Sequence, residues 1–596
     1  PRLTSPLTSQ PEIATSGEHP DMPLNSITHA VVLAFVASST TVSSKGIINE
    51  RKTSLRSRVD ASALQSSLNN AMAEAMGCGG HVDEDQLTAI RAALAPMWRT
   101  LPKKTADRVD RRSLRHLAHR YFSRKSALLI RGFEPSRPAN ASGWGSSDIL
   151  SQRVPAYVEA VLESRHAQEN GFSLQDAVYM VAAVEQLVFD TEGTILEHVY
   201  NSQHKPASRS LTEAGLGQVL EDYLVHWMLG EDAEGLRLVM ANRTLLRESI
   251  PHWDMIVSFA KGHVKALEFQ RLRAPAASSR PGHNAFSPRY SFEDAHQVVG
   301  DITRSFASFW DSECASMKTA LVDMDRHHTG RVPLSKFYSS ALDSEWRFGE
   351  SESYLRELGA LDETSTWHGK QVIIPNYLLA ASNCIVSTPH YLVCCINECE
   401  GILREIEDKV QGEVARPGEI LALVSNITSQ TTIDHDDHAH ITVSLKAQLE
   451  QIAAGNGGVV PVHGRLFAQW LHYVFPRECP FPHKMGMASS RTPTEFGDEF
   501  VASKHEMKTH AETAGESDAL AIINKEELQW MSQWSSEEEL IVDDGQPARA
   551  SWETPVATLG VLLLLAGGMV TSVGVSRRTL TSEAGLLPTH SKSHFV

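Results

Sequence analysis

Asp323-Met-Asp-Arg-His-His-Thr-Gly-Arg-Val-Pro-Leu-Ser-Lys-Phe-Tyr338 is the stretch on which the reading of this chain turns. Phe309 to Met324 before it and Ser335 to Leu342 at its end both read as helices. Between them stand short side-chain oxygens at Asp323, Asp325 and Thr329, a lone Gly330, and an apolar pair two apart, Val332 and Leu334. Glycine turns a chain through positive φ without steric cost. The stretch therefore predicts a helix, a tight turn, a short extended segment and a second helix.

The same outline returns 40 positions on, where Leu358-Gly-Ala-Leu-Asp362 leads to Gly369-Lys-Gln-Val-Ile-Ile-Pro-Asn-Tyr377. Val372 and Ile374 precede Tyr377 by the same step at which Val332 and Leu334 precede Phe337. Across residues 309–384 the chain resembles an EF-hand pair, in which two loops meet in a short ribbon through their position-8 residues. Each such loop carries oxygens at positions 1, 3, 5, 7 and 9, Gly at 6 and a bidentate Glu at 12. Counted from Asp325, the loop has His327 at 3, Thr329 at 5, Gly330 at 6, Arg331 at 7, Val332 at 8 and Lys336 at 12.

The resemblance implies calcium as the ligand, held by Asp325, His327, Thr329 and the carbonyl of Arg331. It also implies a module that packs a helix of its own chain, or of a protein partner, in its groove. The chain departs from the pattern in two places. His327 offers nitrogen to a cation that selects oxygen, and Lys336 puts an ammonium where a carboxylate belongs. Counting from Asp323 instead gains Asp325 as a second carboxylate, but puts His328 at the turn and Leu334 at position 12. The expectation is weak calcium binding, no better than roughly millimolar, with a second loop at 362–370 that serves structure. An ordinary helical hairpin with a glycine turn is the plain alternative.

Outward from this pair the chain reads as mainly α: a helical bundle or stacked helix pairs, a central EF-hand-like pair and a single C-terminal transmembrane helix. Its 596 residues, 42% hydrophobic and 21% charged, suffice for several domains. The net charge of -17 excludes broad nucleic-acid binding, which needs a basic face. Helical spacing is clearest at Val178, Val181, Val184, Leu187 and Val188, preceded by a Ser173–Asp176 capping pair. Further helices are predicted at 154–166, 211–229 and 255–272. The divisions are a helical domain at 50–273, a linker at 274–289, the pair within 290–384, a cysteine-containing helical domain at 385–485 and an acidic stalk at 486–554.

Residues 555–575 are free of charge and long enough for a helix to cross a bilayer. Arg577 and Arg578 follow and acidic residues precede, so the 576–596 tail is placed in the cytosol. Residues 22–39 have an apolar core of signal-peptide length. With that signal the protein is type I, its N-terminal part lumenal or extracellular; without it, a tail-anchored protein facing the cytosol. Asn140, Asn242 and Asn426 open glycosylation sequons. Of seven cysteines, Cys384, Cys394, Cys395 and Cys399 cluster, with Cys479 further on; packing with one or two disulfides is favoured over zinc.

Ile433-Asp-His-Asp-Asp-His-Ala-His440 has metal-ligand residue types and reads as a polar loop. In 463–483, Phe467, Trp470, Leu471 and Val474 suit one buried helix face, and His463, Arg465, His472 and His483 could form a polar site beside it. Phosphate-loop, nucleophile-elbow, zinc-helix and kinase signatures are lacking. The reading is a membrane-anchored, calcium-binding module with a regulatory or partner-binding role, more a non-enzyme than an enzyme. The alternatives are a structural or adhesion-like ectodomain whose pair binds no ion, and a hydrolase using the histidines.

Overall fold

The computed structural model describes residues 84–104, 107–133, 171–230, 232–250, 252–273, 288–343, 347–364, 369–427, 441–484 and 487–512. The elements run α1 (Glu84–Thr100), α2 (Arg111–Ser126), β1 (Leu128–Ile130), α3 (Leu174–Ser202), α4 (Glu213–Leu229), α5 (Ala233–Ala241), α6 (Leu245–Ser249), α7 (Trp253–Arg273) and α8 (Phe292–Met324). Then come β2 (Arg331–Pro333), α9 (Leu334–Asp343), α10 (Glu352–Glu357), β3 (Leu361–Asp362), β4 (Gln371–Ile373), α11 (Ile374–Leu378), β5 (Val386–Ser387) and β6 (Tyr391–Val393). The last are α12 (Cys399–Val410), β7 (Val414–Ala415), α13 (Pro417–Val424), α14 (Val443–Gly455), β8 (Val460–Pro461), α15 (Arg465–Val474), α16 (Pro493–Phe496) and α17 (Lys504–Glu512).

Helix starts follow local chemistry. Ser173 and Ser291 each close a capping box, with Asp176 and Asp294 reaching back to the cap backbone. An N-terminal N–H that lacks an intrahelical partner is satisfied this way. Thr212 caps α4 through the N–H of Gly215, one residue beyond the predicted start at 211.

Instead of a uniform bundle, three apolar cores form among the described residues, each with a small antiparallel sheet at its margin. The first gathers α1 to α4, α7, the N-terminal half of α8 and the β5–β6 strands, centred on Trp227, Tyr223 and Phe306. The Trp227 indole N–H donates to the Tyr391 hydroxyl at 2.9 Å, so a buried polar tip is satisfied across 164 residues. The second holds Leu321, Val332, Phe337, Tyr338, Tyr354, Val372 and Tyr377. The third packs α12 to α15 around Trp470, Phe467 and Leu449.

Among the described residues three disulfides form: Cys384–Cys394 beside the second core, Cys399–Cys479 beside the third, and Cys314–Cys395. Tyr391, Leu392 and Val393 pair with β1 as strand β6, and α12 begins only at Cys399. Cys395 and Cys399 consequently part to different partners.

The single C-terminal transmembrane helix is corrected. No helix among the described residues is long and apolar enough to cross a membrane. The longest, α8 with 33 residues, carries charges such as Asp301, Arg304, Asp311 and Lys318, and its apolar stripe packs on the protein itself. The described residues supply no spanning helix for the membrane partner, the type I topology or the tail-anchored alternative. Residues 555–575 lie outside the described residues, as do 22–39, Asn140, 154–166, 433–440 and 513–554.

Candidate functional site

Loop 325–334 is where the sequence placed an ion. Asp325 ends α8, and its carboxylate is nearly fully buried. Oδ1 accepts from the Thr329 N–H at 3.0 Å and the Thr329 hydroxyl at 3.1 Å, and Oδ2 from the Gly330 N–H at 2.9 Å. The remaining capacity goes to Arg477, whose Nε reaches Oδ2 at 3.1 Å and whose Nη2 donates to the Asp325 carbonyl at 3.0 Å. A guanidinium delivered from 152 positions away in sequence thus sits on the first loop oxygens.

Calcium binding is corrected on this geometry. No group of three or more His, Cys, Asp or Glu placed to hold a metal ion occurs among the described residues. Asp323 and His327 are exposed, while the Arg331 side chain turns inward. A hard cation needs six to eight oxygens, and the one buried carboxylate here is already neutralised.

The ribbon does form. Val332 faces Val372 in the β2–β4 pairing, with Arg331 opposite Ile373 and Pro333 opposite Gln371. Gly330 is held at φ 70°, and a Cβ there would stand 1.9 Å from the Pro476 carbonyl oxygen. Gly330→Ala is therefore expected to cost at least about 2 kcal/mol from the left-handed backbone and the clash together, read as a lower urea midpoint with an unchanged slope.

Behind the loop, Arg331 Nε donates to Asp362 Oδ2 at 2.7 Å, joining β2 to β3 through buried charges. Burial raises the Asp362 carboxyl, but Arg331 and Thr364 outweigh it and hold the group below its usual value. Arg331 Nη1 also approaches His472 Nε2 at 3.1 Å, while His472 Nδ1 lies 2.7 Å from the Cys479 carbonyl. A guanidinium only donates, so His472 is neutral with its proton on Nδ1. Burial and the Arg331 charge hold it down to about 3.

A second buried cluster joins the first core to the third. Arg120 on α2 reaches Glu400 at 2.8 Å and also pairs with Glu407, both on α12. His463 Nε2 lies 3.3 Å from Glu407 Oε1 and 2.8 Å from the Thr100 hydroxyl, and its Nδ1 is 3.4 Å from His116 Nε2. Burial raises Glu407, yet Arg120 and His463 overcome it and bring the carboxyl down to about 2. Burial above all keeps His463 and His116 below their usual value, and brings His119 down to about 4.

This cluster resembles an acid–base relay only in residue types. The Thr100 hydroxyl donates to the Met97 carbonyl at 2.9 Å, so toward His463 it accepts. His463 thus donates from Nε2 to both Thr100 and Glu407, which is not a base taking a proton from a nucleophile. His483 donates to the Gly359 carbonyl at 2.6 Å, and Arg465 Nη1 to the His483 carbonyl at 3.2 Å. The four polar residues of 463–483 are therefore spread over three separate structural contacts.

Lys318 is also buried, 2.6 Å from Glu398 and 3.5 Å from Glu478, between the Cys314–Cys395 and Cys399–Cys479 bridges. Of the sequon residues, Asn242 is exposed and accepts from the Thr244 hydroxyl at 2.7 Å. Asn426 spends its amide on the Ala422 carbonyl at 2.9 Å. Arg477, Arg120, Glu407 and Lys318 were missed because nothing local marks them: each finds its partner between 80 and 287 positions away. No known family, curated protein or solved structure matches the chain.

Proposed function

We propose that residues 292–384 are an EF-hand-like pair working without a metal ion, a structural hub on which the other cores are mounted, in a protein that is not an enzyme. The observation that carries this reading is the Arg477 guanidinium on Asp325 Oδ2 and on the Asp325 carbonyl. It supplies internally the positive charge that the loop requires. The Val332–Val372 ribbon supports the pair arrangement, and the Arg331–Asp362 contact replaces a second ion with a second internal pair.

An internal cation is present at all times, so a hub of this kind is held in one state instead of switching with ion concentration. The partnered histidines and the absence of a relay at Thr100 support a non-catalytic role.

The test is thermal melting of the purified chain with chelator and with calcium up to several millimolar, the weak end of known loops. The melting temperature is expected to be the same in both. Arg477→Met is expected to lower it in both buffers, by the equivalent of roughly 2–3 kcal/mol, since a buried carboxylate loses its charged partner. A calcium-dependent rise in the wild type that Asp325→Asn abolishes would overturn the reading.

A further inference from the structure

Residues 476–479, just past the end of α15, make a contact with another part of the chain at every position. The Pro476 carbonyl packs against Gly330. Arg477 sits on Asp325, and Glu478 Oε1 lies 3.5 Å from Lys318 Nζ on α8. Cys479 is bridged to Cys399, the first residue of α12. Cys399 in turn follows Glu398, whose Oε2 is 2.6 Å from the same Lys318. The bridge thus ties together two arms, 398–399 and 476–479, that close on one buried ammonium.

Both ends of this turn are held without the bridge. Toward α15, the Phe475 N–H donates to the Leu471 carbonyl at 2.8 Å, and His472 Nδ1 lies 2.7 Å from the Cys479 carbonyl. Beyond the turn, the Phe481 N–H donates to Asn376 Oδ1 at 2.7 Å and Asn376 Nδ2 to the Phe481 carbonyl at 2.9 Å. Opening the bridge therefore lets the turn move off α8 while α15 and Phe481 stay in place.

The bridge can be reached from one side. Cys399 is half-buried at the edge of the third core and Cys479 is buried, so an incoming thiolate meets the sulfur of Cys399. Cys314 and Cys395 are both buried, and Cys384–Cys394 joins residues ten apart that take no part in these contacts. While the bridge is closed the turn cannot drift from α8, so Arg477 meets Asp325 with little further loss of chain freedom. Once it is open, that contact must order the turn by itself.

We propose that Cys399–Cys479 is a redox-modifiable latch: a dithiol reductant opens it, the turn withdraws from α8 and Arg477 leaves Asp325, a regulation that rests on the hub reading for the part Arg477 plays. One thiolate of the dithiol attacks Cys399 Sγ, the S–S bond breaks and Cys479 leaves as the thiolate. The second thiol then attacks the mixed disulfide and releases Cys399. The dithiol ends as a disulfide, and its two electrons and two protons end on the two cysteine thiols.

The experiment uses the full chain in chelator, as wild type and as Cys399→Ser/Cys479→Ser, each with and without Arg477→Met. With the latch removed, hydrogen exchange at residues 325–330 and 475–480 is expected to quicken by about ten-fold or more, while α15 and Phe481 keep their protection. The fall in melting temperature caused by Arg477→Met is expected to be about half or less of its value in the bridged protein. Dithiothreitol followed by iodoacetamide is expected to label Cys399 and Cys479 of the wild type while Cys314 and Cys395 remain bridged and the helical circular dichroism signal is kept. Unchanged exchange at 475–480, an equal effect of Arg477→Met in both backgrounds, or a bridge that opens only as the helical signal is lost would overturn the proposal. Should the serine variant fail to fold, wild type and Arg477→Met held in dithiothreitol carry the same comparison, and a chain that unfolds there as well is no latch. A melting temperature that rises with calcium in the bridged wild type, while the exchange result holds, counts against the metal-free hub alone.

Discussion

Arg120→Met is expected to lower the free energy of unfolding by about 3–5 kcal/mol, the usual cost of removing one partner from a buried ion pair. Arg120 is 2% exposed and Glu407 0%, so water cannot replace the lost guanidinium. Glu400 and Glu407, on one helix, would then lose the partner they share, while Glu407 keeps His463. Chemical denaturation at pH 7 reads the loss, and a change below about 1 kcal/mol would show that the cluster does not hold the first core to the third.

The pH dependence adds a second readout. In the wild type the Glu407 carboxyl lies at about 2, below its usual 4.5. A depressed carboxyl contributes stability that is present above the unfolded value and lost as pH falls through the folded one. His119, held at about 4, works in the same direction, its contribution being lost as pH falls from 6.5 toward 4. The wild type is thus expected to weaken steadily with acid. In Arg120→Met the Glu407 carboxyl loses the main charge that depressed it and takes up a proton at higher pH, so the gap between the two proteins narrows as pH falls. Arg120→Met/Glu400→Gln/Glu407→Leu is expected to recover much of the loss, since a well-packed neutral cluster needs no desolvated charge.

Glu192→Gln is expected to act in the opposite sense and to stabilise the protein near neutral pH. Glu192 lies on α3 inside the first core, 2% exposed, and burial pushes its carboxyl up to about 8 against the partly opposing influence of Thr303 and Arg304. In the unfolded chain it ionises near 4.5. The raised value means that stability is fully present below 4.5 and declines as pH rises to about 8, then levels off. At about 1.4 kcal/mol for each unit of pKa, the loss is on the order of 3–5 kcal/mol. A glutamine cannot ionise and keeps the shape, so the variant should match the wild type near pH 4 and exceed it by that amount at pH 8. Parallel stability curves for the two proteins across this range would show that Glu192 is charged in the folded state.

Legibility in the sequence followed the range of the interactions. The start of α3 was readable because Ser173 and Asp176 satisfy each other's backbone within four residues, and the buried face of α15 because Phe467, Trp470, Leu471 and Val474 share one helical stripe. Strand β6 was not legible, since Tyr391-Leu-Val393 fits either period and only pairing with Leu128-Leu-Ile130 chose between them. A charge-free run at 555–575 was read from length and hydropathy alone, a criterion that no helix among the described residues meets.

What the sequence by itself determined is local: capping, helical periodicity, and the turn glycine and extended pair of residues 330–334, all set by neighbours a few positions apart. Tertiary structure alone decided what those elements are used for. Asp325 carries the same carboxylate whether it meets a calcium ion or Arg477, and the choice lay 152 positions away. Likewise His463 has the residue type of a general base, and only the commitment of the Thr100 proton to Met97 makes it a donor. The physical reason is common to both cases: a buried charge or proton takes its state from whichever partner the fold brings within 3 Å or so, and chain separation places no limit on that partner.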